Sequence, residues 1–146
     1  NFIPEKYCRN DVAAACGSSG GFYQWNELMQ YSMQPGYQDI CMPGWHVPTP
    51  AEWETLVDLS LGKGLSGNKL KDISSPTGFH GILTGFNYLN SLWSFTTGNL
   101  TGSMYWTSGN ISEYSAFARG LNLLNSSTSL YPSAKSNAFS VRCVKN

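Results

Sequence analysis

Few side chains in this 146-residue chain are equipped for chemistry: four cysteines (Cys8, Cys16, Cys41 and Cys143), two histidines (His46 and His80) and nine carboxylates. Zinc is the first possibility to weigh. There is no Cys-x-x-Cys, and two histidines do not complete a usual ligand set, so no metal site is read here. Disulfide formation is the better use of the thiols. Four cysteines allow three pairings. Cys8 and Cys16 are near enough to close a small loop, which leaves Cys41 and Cys143 for each other. In the chain-entropy model, closing a loop of about 100 residues contributes up to about 4.7 kcal/mol. Such bridges imply an oxidising compartment.

His46 and Glu52 raise the question of acid–base catalysis. A structural role is favoured for both, because His46 sits in a turn before a helix and Glu52 completes that helix's capping box. His80, within Gly-Phe-His-Gly, reads as a loop histidine. Asp39, Glu54, Asp58, Asp72 and Glu113 are scattered, with neither the pairing of a glycosidase nor the spacing of a calcium loop. No Gly-x-Ser-x-Gly elbow is present. No catalytic residue and no cofactor is assigned.

The elements that must hold these groups are legible in part. Phe22, Trp25, Leu28 and Met29 fall at helical spacing and predict a helix over 22–32, stopped by Pro35-Gly36. A second helix is signalled more fully. Thr49 is its N-cap, Pro50 its first residue, Glu52 the third member of Thr-x-x-Glu, and Gly62 its C-terminal cap. Trp53, Leu56, Val57 and Leu61 mark its buried side. After residue 63, Gly, Ser, Asn and Thr interrupt short apolar runs, including Ile82-Leu83, Phe86-Asn-Tyr88, Leu92–Phe95, Met104–Trp106, Ala116–Ala118 and Leu121–Leu123, which predicts short strands. In the last strand Phe139, Val141 and Cys143 share one face. The expectation is a single α+β domain over 1–146: two helices, then a mostly antiparallel sheet with long loops.

Composition narrows the function. Hydrophobic residues make up 41% and charged residues only 12%, with nine basic against nine acidic side chains. Without a basic patch, nucleic acid is not an expected partner. No apolar run approaches the length needed to cross a bilayer. The start at Asn1, without an apolar leader, is expected of a mature or trimmed fragment whose signal peptide or lipid anchor lay upstream. Half the positions from 103 to 140 are Asn, Ser, Thr or Tyr. Antibody loops use the same side chains, Tyr for contact area and Ser and Asn for adaptable hydrogen bonds. The Asn-x-Ser/Thr triplets at Asn99, Asn110 and Asn125 are the chance product of such a composition.

Several segments resemble the Fibrobacter succinogenes major paralogous domain family, common in exported proteins of Bacteroidetes and related bacteria. They are Tyr7-Cys8, Gly21–Trp25, Gly44-Trp-His-Val-Pro48 with Ala51–Leu56, Lys69-Leu-Lys71, Tyr105-Trp-Thr-Ser108 and Phe139–Lys145. That family in turn resembles C-type lectin-like and formylglycine-generating-enzyme-like folds. The resemblance implies a C-type lectin-like α+β fold, with two helices in the N-terminal half packed on a twisted sheet and a long loop region between 63 and 115. It also matches Cys41 and Cys143 to the lectin helix-to-last-strand bridge. It implies no sugar, since the lectin calcium motifs are absent. Formylglycine-type chemistry is not expected, because every thiol has a structural partner available.

Function is therefore read as a non-enzymatic, surface-displayed or secreted binding domain for a protein or glycan. Tyr114, Phe117, Arg119, Asn122, Asn125, Tyr131 and Asn137 are its expected exposed contacts, and the polar-aromatic C-terminal half is its expected binding face. Two alternatives are the variable ligand-binding protein of a diversity-generating retroelement, bacterial or phage, and a structural stalk or tip module of a surface fibre; adhesion is the expected setting of the binding reading.

Overall fold

The computed structural model describes residues 4–34, 39–60, 64–75, 77–86 and 102–146. Their fold is α+β, with four short helices and antiparallel ladders. The elements are α1 (Ala13–Ser19), β1 (Tyr23–Gln24), α2 (Trp25–Leu28), β2 (Trp45–His46), α3 (Pro50–Leu59), α4 (Ser66–Lys71), β3 (Gly102–Asn110), β4 (Ser115–Asn122), β5 (Ser129–Ala134), β6 (Ala138–Phe139) and β7 (Val144–Lys145). Pro35-Gly36, Leu61, Gly62, Tyr88, Leu92–Phe95 and Asn99 lie outside the described residues.

Helix α3 follows its N-terminal signals but stops at Leu59, before the expected cap at Gly62. The Thr49 side chain accepts from Glu52 N, Pro50 opens the helix, and Glu52 returns a carboxylate to Thr49 N at 2.8 Å. Trp53 and Val57 are buried and Leu56 partly so. Ser60 is the C-cap, its N–H donating to the carbonyls of Leu56 and Val57.

The expected helix over 22–32 contracts to a single turn. Phe22, Trp25, Leu28 and Met29 are all buried as their spacing demands. However, Phe22 bridges to Tyr7, and Tyr23 and Gln24 pair with Phe139 and Ala138. The same apolar spacing is met by an extended stretch followed by one turn, and tertiary pairing chose that solution. Gln30 and Tyr31, at φ 47° and 59°, end the turn. Two helices were not expected at all. Helix α1 begins inside the small cysteine loop and carries Cys16, and α4 backs onto the chain at 126–127, with Asn68 N donating to Ser126 O at 3.2 Å. A Cβ on Gly67 would stand 2.4 Å from Ser127 O, so the approach requires glycine.

In place of one sheet, the described strands form three: β1–β6, β2–β7, and β3–β4–β5, every ladder antiparallel. The expected last strand is split into β6 and β7, and Ser140, just after β6, forms an isolated parallel bridge to Tyr105 of β3. Its face is as expected: Phe139 lies in the larger core cluster and Val141 and Cys143 pack against it.

The core has two main parts on opposite faces of β3–β4–β5, since side chains alternate along a strand. Met104, Trp106, Ala116 and Ala118 meet Trp25, Leu28, Met29 and Phe139 on one face. Tyr105 and Leu121 meet Trp53, Leu70 and Phe79 on the other. Two tryptophans lock the first face reciprocally. Trp25 Nε1 donates to Thr107 O and Trp106 Nε1 to Tyr23 O, both at 2.8 Å. Both disulfides are present, Cys8–Cys16 with Cα atoms 5.1 Å apart and Cys41–Cys143 at 5.9 Å. Asp39, buried beside the second bridge, accepts from Cys41 N at 2.8 Å and Val47 N at 2.6 Å.

Candidate functional site: a polar cavity on the three-stranded sheet

A cavity of about 440 Å³ opens on the Met104 face of the sheet. Its apolar lining comes from Phe86, Met104 and Pro132. Its polar lining comes from Asn122, Asn125, Ser127, Ser129, Tyr131, Ser133 and Asn137. Register explains the convergence. Ala118 pairs with Tyr131 and Gly120 with Ser129, so β5 directs Tyr131 to the same face as Ala118, Gly120 and Met104. Gly120 leaves the room: a Cβ there would lie 2.9 Å from the Tyr131 ring and 3.1 Å from Met104 Sδ. Tyr131 is 47% exposed, which leaves part of an aromatic face available at the cavity mouth.

Asn137 is the most informative lining residue. It is only 5% exposed, yet its side-chain amide makes no hydrogen bond to any described residue. Lining the cavity with no hydrogen bond of its own among the described residues, the amide can bond a ligand or water there. Asn122 and Asn125 stand at the rim with their carbonyl oxygens occupied locally. Asn122 Oδ1 accepts from Leu124 N at 2.8 Å, and Asn125 Oδ1 from Ser127 N and Oγ at 3.1 and 2.8 Å. Their NH₂ groups have no protein acceptor among the described residues.

The rim is held by a lysine that the sequence reading did not assign. Lys71 Nζ, at the end of α4, donates to the carbonyl oxygens of Asn122, Leu123 (3.4 Å) and Asn125 (2.9 Å). Partial burial pushes its pKa down, but three carbonyl acceptors suit the charged amine. The signal available in the sequence was Lys69-Leu-Lys71, whose second lysine has this role.

The seven expected contact residues thus divide. Asn122, Asn125, Tyr131 and Asn137 line one cavity, although Asn137 is buried in its wall and is not the exposed contact expected. Tyr114 is 75% exposed but lies in the β3–β4 connection, away from that cavity. Phe117 is half-buried on the opposite face of β4, paired with Pro132. Arg119 corrects the expectation most clearly. It is 2% exposed and forms an ion pair with Glu54 of α3. Strand alternation sends Arg119 towards the helix, and burial of its charge is offset by that carboxylate.

The groups first considered for catalysis have structural partners. His46 bridges Glu52 (3.0 Å) and Asn146 Oδ1 (2.6 Å), joining the α3 cap to the chain beyond β7. Burial lowers the pKa of His46, but hydrogen bonds from Asn146 and Glu52 and the Glu52 charge outweigh it and hold the pKa above its ordinary value. His80 is exposed in a turn at φ 47°. Among the described residues no group of three or more His, Cys, Asp or Glu converges to hold a metal ion, and no helix is long and apolar enough to cross a membrane.

No curated protein and no solved structure matches this chain. The family model described as the Fibrobacter succinogenes major domain matches residues 4–145, from the strand-bridging Tyr7 through both disulfides, the α3 capping box and the closing strand β7. The chain belongs to the Fibrobacter succinogenes major domain family.

Proposed function

We propose that this chain is an exported, non-enzymatic binding domain that holds a polar ligand, a glycan or a protein loop, in the cavity between Tyr131 and Asn137. The observation that carries the reading is Asn137, a nearly buried residue in the wall of an open cavity whose side-chain amide makes no hydrogen bond among the described residues. A cavity that supplies amides, hydroxyls and one aromatic face, with no charged side chain among its described lining residues, suits recognition by hydrogen bonding and stacking. Acid–base catalysis needs proton-transfer groups at the site, and no His, Cys, Asp, Glu, Lys or Arg is among the described lining residues. Export is supported by the two disulfides. A lectin-like scaffold is supported by the bridge from the α3 lead-in to the last strand.

A sharper form of the same reading is a retroelement-diversified binding protein. Its support is the identity of the rim residues: Asn122, Asn125 and Tyr131 are among the residue types that adenine-rich codons yield. A near-copy of the corresponding codons beside a reverse transcriptase gene is the required accompaniment, and its absence removes this form.

Glycan and displayed-peptide arrays probed with the intact domain test the main reading. Tyr131→Ala and Asn137→Ala are expected to lose the array signal, while Tyr114→Ala retains it. Loss of signal on Tyr114→Ala with retention in the other two variants overturns the assignment.

A further inference from the structure

Arg142 stands at a junction that the cavity described above does not use. It lines two further cavities, one of about 270 Å³ walled by Trp45, Trp53 and Phe79, and one of about 340 Å³ walled by Ser19, Thr84 and Ser140. Its guanidinium carbon lies 5.2 Å from the centre of the Phe79 ring, within cation–π range. Arg142 is exposed and makes no ion pair among the described residues. A second donor is also unused. Trp53 is 2% exposed, and its indole N–H has no acceptor. A buried indole N–H usually finds one, and this residue lines the aromatic cavity without doing so.

We propose that Arg142 anchors a second ligand site, which takes an acidic oligosaccharide by the carboxylate of a uronic acid residue. A planar guanidinium without a counter-ion is suited to a bidentate carboxylate. The cavities on either side of it differ in the way a uronic acid differs across its own ring. Trp45 is exposed and offers an aromatic face to the apolar C–H surface of a pyranose. Ser19 and Tyr23 on the other side, half-buried and with hydroxyls that make no hydrogen bond among the described residues, offer those groups to sugar hydroxyls, while Thr84 and Ser140 behind them are bonded to each other. Glu52 at the edge of the aromatic cavity is already engaged by Thr49 and His46, so its charge is partly satisfied before a ligand arrives. A peptide carboxyl terminus is the less favoured occupant. Such termini are held by converging backbone N–H groups, whereas the donor here is a guanidinium.

The site is separate from the cavity beside Tyr131. Trp53 and Phe79 belong to the core cluster on the other face of the three-stranded sheet. The two proposals therefore fail independently.

Isothermal titration of the intact domain with trimers of galacturonic, mannuronic and glucuronic acid tests the proposal. Galactotriose and a hexapeptide ending in Phe serve as comparison ligands. At least one uronate trimer is expected to bind, with Arg142→Gln weakening it tenfold or more, Trp45→Ala weakening it similarly, and Tyr131→Ala leaving it unchanged. The Trp53 indole N–H resonance is expected to shift on titration in the parent and not in Arg142→Gln. Unchanged melting of Arg142→Gln serves as the folding control, and Trp45→Ala gives a second route should that variant be unstable. The proposal is overturned if no uronate trimer binds, if galactotriose binds equally well, if the peptide binds in preference, or if loss follows Tyr131→Ala and not Arg142→Gln.

Discussion

The guanidinium of Arg119, buried in the middle strand of the three-stranded sheet, meets the carboxylate of Glu54 on helix α3. This contact ties sheet to helix with a charge that has little other compensation, since Arg119 Nε has no partner. Glu54→Ala is expected to cost about 1–3 kcal/mol, below the full penalty for a buried pair because the Glu54 side chain is 37% exposed. Arg119→Met, which removes the buried charge itself, is expected to cost less. Urea denaturation of the two variants checks the order, and a neutral Glu54→Ala would contradict it.

The two disulfides are expected to contribute unequally. Cys41 and Cys143 are 102 residues apart in sequence, Cys8 and Cys16 only 8. Chain entropy gives about 4.7 kcal/mol for the long loop and about 2.5 kcal/mol for the short one. Calorimetric melting of the paired Cys→Ala variants should therefore show the larger fall for Cys41/Cys143. Equal falls would mean that the denatured chain is already compact across that span.

The His46 clamp predicts a shallow pH dependence. The folded protein raises the His46 pKa above 6.5, so this contribution is complete below that value and fades as pH rises through the folded pKa. Burial raises the Glu52 pKa, but hydrogen bonds from Thr49 and His46 outweigh it and set the pKa below 4.5, so its contribution fades as pH falls. The clamp is thus strongest between 4.5 and 6.5. Exposure of Glu52 keeps the effect below about 1 kcal/mol. Melting curves from about pH 6 to 8 should slope downward in the parent and less so in His46→Gln; identical slopes would place the proton elsewhere.

Lys71 is expected to matter to the Tyr131 cavity without lining it. Lys71→Met removes a charged donor from the carbonyls of Asn122, Leu123 and Asn125, at a cost of about 1–2 kcal/mol. Faster amide exchange confined to residues 122–127 is the expected signature. Exchange no faster there than in the parent would show that the loop holds itself.

Legibility in the sequence followed the range of the interactions involved. The α3 cap was readable because Thr49, Pro50 and Glu52 act on one another within three residues. Four of the seven expected contacts reached one cavity because Asn, Ser and Tyr signal polar surface wherever they lie. The direction of Arg119 was not readable, since it depends on the register of β4 against α3, and one residue of register reverses every side chain. Asn137 was assigned to the right neighbourhood for the wrong reason, as an exposed contact. The contraction of the helix at 22–32 depended on Phe139 and Ala138, more than a hundred residues away, which no local pattern contains.

Among the described residues, strand β1 pairs with β6 and β2 with β7. Residues 23–46 therefore cannot complete their sheets until residues 138–145 have joined them. A polypeptide with this wiring stays open until those two distant segments meet, and the Cys41–Cys143 bridge then keeps them together.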